Sequence, residues 1–540
     1  MKKMEKIKGK RVSDGIVVGK IFFYSKQPQK VVRYKITDIA CEIQRYESAK
    51  EEALIQIKAL YDRMLKEYGE NDAKIFEAHT MLLNDIDLNE SVHSLIRGQS
   101  VNAEYAVAMT ADKFCEIFDN LEDEYFRERS KDINDVCERV IEILGNNDDK
   151  DKISEPCIII SEDLSPSETV QFDRKHILAF ATEKGSSYSH TAILARMMDI
   201  PALVRIPINE AWHGKNAIID GENGFIIIEP DTATLEYYIK LSKEREKQKF
   251  YLHELIGKET CSKKGKKINL YANISNTYDL SAVKNNDAEG IGLFRSEFLY
   301  LESKDFPTED QQFMAYKMAA EQMEGKKVII RTLDIGTDKK LPYYETDKED
   351  NPAMGYRAIR VCLSMTEMFK TQLRAIYRAS AYGNVSIMYP MITSLDEVKE
   401  IKSIVAEVKK ELEDSNICYK NVEQGIMIET PAAAVLSDVL AKEVDFFSIG
   451  SNDLTQFTLA VDRQNDKLSR FYKPQHEAVL RLIEMTIKNA HKEGIWVGIC
   501  GEIGADIELV DRFIEMGIDE LSVSPGMVLP IRKLIRESEK

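Results

Sequence analysis

GIMIETPAAAVLSDVLAKEVDFFSIG, residues 425–450, holds one strand–helix–strand passage. GIMIE (425–429) and FFSIG (446–450) are short apolar runs, and the segment between them reads as helix. The same alternation extends from residue 268 to the end of the sequence. The other runs are INLYANI (268–274), GIGLF (290–294), VIIRTL (328–333), VSIMYP (385–390), WVGIC (496–500) and LSVSP (521–525). Helical patterns such as DEVKEIKSIVAEVKKELED (396–414) separate them. Eight β/α units in about 270 residues match a (β/α)8 barrel in count and in size. A doubly wound open sheet is the alternative, and the regular repetition favours closure.

Barrel chemistry gathers where strands end and βα-loops begin. Read in order, those ends carry Arg295, then Arg331 and Asp334, then Glu429, then Asn452, Asp453 and Arg463, then Cys500 and Glu502. A lone Arg or Glu near a strand end is usually a surface salt bridge. A set of them on successive strand ends is harder to explain that way. Two carboxylates from different strands, without His or Cys ligand sets, suit a hard cation such as Mg²⁺. Several guanidinium forks suit a small polyanion bearing phosphate and carboxylate groups. Cys500 alone reads as a buried small hydrophobe. At a strand end beside an anion site it becomes a candidate proton donor, because a thiol of ordinary pKa, about 8.5, is mostly protonated at neutral pH.

Ahead of the barrel, residues 155–229 switch to short runs with turns: CIII (157–160), ILAFA (177–181), ALV (202–204), AIID (217–220) and GFIIIE (224–229). One helix, from about Ser189 to Met198, is expected among them. Gly185 permits a tight turn, and Ser186, Ser187 and Ser189 are good N-caps, which places His190 in the first helical turn. There the macrodipole disfavours imidazolium and leaves the imidazole nucleophilic, while free N–H groups would stabilise a phosphoryl group on it. The competing reading is a capping or core histidine.

Residues 5–26 read as one or two strands of this same small domain. Between them and residue 155, the stretch 36–145 is nearly free of Gly and Pro. Tyr46, Ala49, Ala53, Ile57, Leu60 and Met64 recur in it at helical spacing. The expectation is an α/β domain (1–32 and 146–230) interrupted by an all-helical subdomain (33–145), then a charged helical linker (231–260), then the barrel (261–540).

The 540 residues sum to 74 basic against 91 acidic side chains, a net charge of −17. That balance disfavours nucleic acid and anionic membranes as partners. The eight cysteines form no C-x-x-C pair, which argues against zinc and dithiol sites and suggests a reducing compartment. No apolar run approaches the roughly 18 residues of a spanning helix, and the N-terminus lacks an apolar signal core. The expectation is a cytoplasmic protein without membrane insertion.

Several longer stretches resemble one family. They are SDGIVVGK (13–20), IFEAHTMLL (75–83), RERSKDINDV (127–136), SSYSHTAILAR (186–196), GIGLFRSEFL (290–299), RTLDIGTDK (331–339), NPAMGYRAIR (351–360), GIMIETPAAA (425–434), FFSIGSNDLTQFTLAVDR (446–463) and GICGE (498–502). Together they resemble enzyme I of the bacterial sugar phosphotransferase system, nearly end to end. The resemblance implies a swivelling phosphohistidine domain with a helical insertion, followed by a phosphoenolpyruvate-binding (β/α)8 barrel. It implies that His190 is phosphorylated by phosphoenolpyruvate (PEP) and passes the group to a histidine of the phosphocarrier HPr, releasing pyruvate. It further implies that Arg295, Arg331, Asn452, Asp453 and Arg463 bind PEP, that Glu429 and Asp453 ligate Mg²⁺, and that Cys500 protonates the enolate. The helical insertion matches the part that docks HPr, and the barrel matches the homodimerisation domain.

Ser186 stands where the family usually has a second glycine, and Tyr188 where it usually has threonine. A catalytically weakened paralogue that binds PEP or a carrier in a regulatory role is therefore the alternative. A dikinase or synthase would need a nucleotide-binding domain for which the chain has no room.

Overall fold

The structure is a computed structural model. It describes residues 4–25, 31–68, 70–119, 124–145, 153, 155–164, 168, 172, 174–185, 192, 195, 198, 200–301, 303, 305–336, 343–344 and 349–540. The chain divides into two units, Met1–Gln248 and Lys249–Lys540.

The first unit carries strands β1 (Glu5–Lys8), β2 (Lys10–Ser13), β3 (Ile16–Phe23), β4 (Cys157–Ser161), β5 (Ile177–Thr182), β6 (Ala202–Val204), β7 (Asn216–Asp220) and β8 (Phe225–Ile228). They form one mixed sheet in the order β1-β8-β7-β3-β4-β5-β6-β2. Strands β3 to β6 pair in parallel, and β1, β2, β7 and β8 join antiparallel. Every residue of β4 is buried, so its CIIIS sequence reads as a continuous apolar run rather than an alternating one. The N-terminal strands thus do belong to the sheet formed by residues 155–229.

Between β3 and β4 the chain forms five helices: α1 (Ile39–Tyr68), α2 (Glu70–Leu83), α3 (Ile86–Gln99), α4 (Ala103–Asp119) and α5 (Glu124–Leu144). Their core is separate from that of the sheet. Tyr46, Ala49, Ala53, Ile57, Leu60 and Met64, at spacings of three and four, are all buried in it. After β8 a helix runs over Thr232–His253 with no buried side chain.

The second unit is a closed parallel barrel of β9 (Asn269–Ile274), β10 (Gly290–Arg295), β11 (Lys327–Arg331), β12 (Asn384–Tyr389), β13 (Glu423–Ile428), β14 (Phe446–Ile449), β15 (Trp496–Ile499) and β16 (Glu520–Val523). Pairing of β16 with β9 closes it, so the open-sheet alternative is excluded. Inside it, Tyr271, Leu293, Ile329, Met388, Met427, Phe446 and Cys500 pack as one cluster. A larger apolar layer lies between the strands and the outer helices. Strands buried on both faces explain why each read as a mostly apolar run without the polar alternation of a half-exposed strand.

The C-terminal helix (Val528–Glu537) carries Arg532, which is fully buried. Its guanidinium donates to Thr260 Oγ1 (3.0 Å), the Leu255 carbonyl (3.1 Å), Asp287 Oδ2 (2.6 Å) and the Asp287 carbonyl (2.6 Å). The segment entering the barrel is tied down by this one side chain.

Candidate active site at the rim of the barrel

Strand β10 ends in Arg295, whose side chain is exposed and makes no ion pair among the described residues. Two residues on, Glu297 is buried. Strand β11 ends in Arg331, also buried. Its Nη2 donates to Glu297 Oε1 at 2.5 Å, and its Nη1 lies 2.9 Å from Asp334 Oδ2. Burial pulls the Arg331 guanidinium towards neutrality, but Glu297, Asp334 and Glu429 more than offset this and hold it firmly charged.

Asp334 serves a second arginine. Arg357 donates to Asp334 Oδ1 from Nε (3.2 Å) and from Nη2 (2.7 Å). The same Nη2 lies 3.7 Å from Asp453 Oδ2, and Arg463 Nη2 lies 3.6 Å from Asp453 Oδ1. The rim is therefore an alternating series, Glu297–Arg331–Asp334–Arg357–Asp453–Arg463. Fixed guanidinium forks in such a series are already oriented for planar anions.

Glu429 follows β13, is buried, and accepts from the Met391 N–H at 2.6 Å. Burial pushes its carboxyl well above the usual range, and the charges of Asp453 and Asp334 add to this, while Arg331 and Arg357 pull it back. Its close approach to β14 depends on Gly450. A Cβ there would lie 2.9 Å from Glu429 Cβ and Oε2 and from Met427 Sδ. Directly after Gly450 begins the helix Ser451–Leu459, with Asn452 and Asp453 in its first turn. Asn452 Nδ2 donates to Glu502 Oε1 (3.2 Å), and Asn452 Oδ1 accepts from the Glu502 N–H (3.2 Å).

Asp453 Oδ1 is buried without a hydrogen bond. A buried carboxylate oxygen left without a donor, beside a second carboxyl that its charge perturbs, is what a hard cation would satisfy. Among the described residues no three His, Cys, Asp or Glu side chains converge to hold a metal alone. Mg²⁺ does not require that, since it is commonly held by one or two carboxylates with water and substrate phosphate completing the shell. Glu429 and Asp453 fit the group in this sense.

Cys500 follows β15 and is buried, with Sγ 3.7 Å from the Ile449 carbonyl. Burial pushes its thiol up to about 12, so it stays protonated at neutral pH.

Nine of the ten residues singled out from sequence thus lie on one rim, eight at or just after strand ends and Arg463 past the helix that follows β14. His190 lies outside the described residues, as do Ser186 and Tyr188. Gly185, the last described residue before His190, has a φ of 107°, a conformation that glycine adopts readily. Sequence reasoning missed Glu297 and Arg357. Both fall inside quoted motifs, FRSEF and GYRAIR, but neither stands at a strand end. Arg357 comes from the long connection after β11.

Comparison with known proteins gives matches over most of the chain. Family models of PEP-utilising enzymes match it in three parts: an N-terminal domain (8–129), a mobile domain (153–224) and a PEP-binding domain (251–540). Phosphoenolpyruvate-protein phosphotransferase of Priestia megaterium is 42% identical over 541 residues, covering 99% of this chain and 94% of that protein. The protein of the same name from Bacillus subtilis (strain 168) is 42% identical over 542 residues, covering 99% and 95%. A solution structure of an Enzyme I protein aligns with 44% of this chain and 99% of its own length at 35% identity, with a TM-score of 0.39.

Proposed function

The chain belongs to the phosphoenolpyruvate–protein phosphotransferase family of PEP-utilising enzymes, and we propose that it transfers the phosphoryl group of PEP to its own His190 and then to a histidine of the carrier HPr, releasing pyruvate. This is the first step of a sugar phosphotransferase system. The observation that carries the reading is the alternating series of guanidinium and carboxylate groups on the barrel rim, a cradle suited to a small phosphorylated acid. Identity along the whole chain to phosphotransferases favours this reading over a purely regulatory binder.

Arg331 and Arg357 are held at fixed positions by Glu297 and Asp334, and little reorganisation is needed when charge shifts from the phosphate towards the leaving enolate. Arg295 and Arg463, more exposed, meet the anion from the solvent side. Asn452, the Arg463 fork and Asp453 complete the binding set. Glu429 and Asp453 would hold Mg²⁺, which when bound neutralises charge on the phosphate. His190 Nε2 or Nδ1 forms a bond to phosphorus as the phosphorus–oxygen bond of PEP breaks. The enolate carbon then takes a proton from the Cys500 thiol, which the barrel interior keeps in its protonated form.

Phospho-His190 next meets HPr docked on the helical insertion, so the α/β domain must move relative to the barrel during the cycle. The barrel pairs with a second copy as a homodimer, and the protein acts in the cytoplasm. No helix among the described residues is long and apolar enough to cross a membrane.

The test is intact-protein mass after incubation with PEP and Mg²⁺, for wild type and His190→Ala. An acid-labile gain of one phosphoryl group in wild type alone supports the reading, and addition of HPr should discharge it. No gain in wild type overturns it.

A further inference from the structure

Gln372 lies on the helix Thr366–Ser380, in the outer layer of the barrel, and its side chain is fully buried. A buried amide must find partners for both its donors and its acceptor. Gln372 Oε1 accepts from the Leu333 N–H at 3.0 Å. Its Nε2 donates to Ser296 Oγ and to Tyr316 Oη, both at 3.1 Å. Ser296 Oγ donates in turn to the Arg331 carbonyl at 2.8 Å. Ser296, like Gln372, is fully buried.

The residues so linked stand next to the rim chemistry. Ser296 precedes Glu297, and Leu333 precedes Asp334, while the Arg331 carbonyl belongs to the arginine that bonds both acids. From this we propose that Gln372 is a positioning residue for phosphoryl transfer, because its one carboxamide ties together the backbone from which Glu297, Arg331 and Asp334 all project. The inference rests on the function proposed above.

The ends of β10 and β11 are joined in the sheet by register, with Arg295 opposite Arg331. Beyond that last pair β10 turns into the short helix Glu297–Leu301, whereas β11 runs into a loop. The amide bridges them at the point where the ladder stops. Arg331 then has its guanidinium held by Glu297 and Asp334 and its main chain held through Ser296. Without Gln372 the ion pairs persist, but the frame that aims them loosens. A displacement of about 1 Å at such a site costs on the order of a hundredfold in rate. Neither donor of the amide is replaceable by an acceptor of the same shape: Ser296 Oγ already spends its proton on Arg331, and Tyr316 Oη donates to Gln312 Oε1 at 3.2 Å. Glutamate at 372 would place a carboxylate oxygen against both.

The experiment measures kcat and KM for pyruvate release from PEP, with Mg²⁺ and HPr, on the full chain, together with the thermal midpoint of each protein. The variants are Gln372→Met, Gln372→Glu, Ser296→Ala and Gln312→Met. Gln312 is an equally buried amide in the same layer, bonding Tyr300, Tyr316 and the Pro307 carbonyl; it shares the Tyr316 hydroxyl with Gln372, but its loss leaves the Gln372 bonds to the Leu333 N–H and Ser296 Oγ in place. The expected result is a fall in kcat/KM of about tenfold or more in both Gln372 variants and in Ser296→Ala. Gln312→Met should lose thermal stability with kcat/KM at 25 °C unchanged. Equal kcat/KM in wild type, Gln372→Met and Ser296→Ala overturns the inference alone, and so does a fall of the same size in Gln312→Met. If the Gln372 variants fail to fold, Ser296→Ala decides, since it cuts the link to Arg331 and leaves the amide in place. Absence of pyruvate release in wild type overturns the proposed function and this inference with it.

Discussion

Arg357 donates two hydrogen bonds to a single oxygen of Asp334, from Nε at 3.2 Å and from Nη2 at 2.7 Å. The other oxygen of Asp334 faces Arg331 at 2.9 Å. One carboxylate therefore spaces two guanidinium groups, and any change to it moves both.

Arg357→Ala is expected to lose more than a contact. Removing one partner of a buried pair leaves the other charge uncompensated, at a cost of about 3–5 kcal/mol. Asp334 keeps Arg331, so the lower end of that range is expected in the barrel's unfolding transition. Pyruvate release should fall by about two orders of magnitude or more. Arg357→Lys should recover stability better than activity, because an ammonium does not reproduce the fork. Urea unfolding of both variants, set beside their steady-state rates, checks the ordering.

Cys500→Ala should separate two steps. His190 phosphorylation in a single turnover should persist, while protonation of the enolate slows by about 10²–10⁴-fold, the usual contribution of a general acid. Rapid-quench measurement of phosphoprotein and of pyruvate on the same samples distinguishes the steps. Loss of both at once would mean that Cys500 shapes the PEP site and is not the acid.

The Cys500 thiol also carries a pH prediction. A required acid loses activity above its pKa. Burial pushes this thiol up to about 12, so no alkaline limb should appear near the ordinary thiol value of about 8.5. A pH–rate profile from 6 to 10 that falls with a midpoint near 8.5 would contradict the burial seen here. Alkylation by iodoacetamide at pH 8 should likewise be slow.

Stability should fall in alkali for a related reason. Burial raises Cys137 to about 12, Cys157 to about 11 and Cys500 to about 12. Their contribution is complete below the unfolded-state value, about 8.5, and is lost as pH rises through the folded values. Between those limits the unfolded chain binds fewer protons than the folded one, so the unfolding free energy drops with pH. Urea midpoints at pH 8 and pH 10.5 should show the decrease in both units, since Cys137 and Cys157 lie in the first and Cys500 in the second.

Gly450→Ala tests the approach of β14 to Glu429. The added Cβ would meet Glu429 and Met427 at 2.9 Å, closer than packed atoms tolerate. Overpacking of this kind costs about 1–3 kcal/mol. The substitution should also raise the Mg²⁺ concentration needed for half-maximal activity, which a titration at saturating PEP measures.

What was legible in the sequence followed burial. Strands such as GIGLF and WVGIC stand out because a parallel barrel buries both faces, leaving apolar runs without polar alternation. The helical insertion stood out through the stripe from Tyr46 to Met64. Strand ends then pointed to Arg331, Glu429 and Asp453. Arg357 was missed because it follows β11 by a long connection and reaches the rim only through tertiary folding. Glu297 was missed because its partner, Arg331, is 34 residues away. The height of the Cys500 pKa had no linear signal either, since it depends on side chains from several strands closing over it.

The clamp made by Arg532 sets where the barrel can be cut. Its guanidinium sits at the far end of the chain, yet it bonds Leu255 and Thr260, upstream of the first barrel strand. A fragment beginning at residue 261 removes two of its four hydrogen-bond partners and leaves a fully buried cation undersupplied with acceptors. A fragment beginning at 249 keeps all four. The shortest chain that forms a sound barrel is therefore longer than the strands alone suggest, and limited proteolysis should stall on the C-terminal side of the exposed helix, before Leu255.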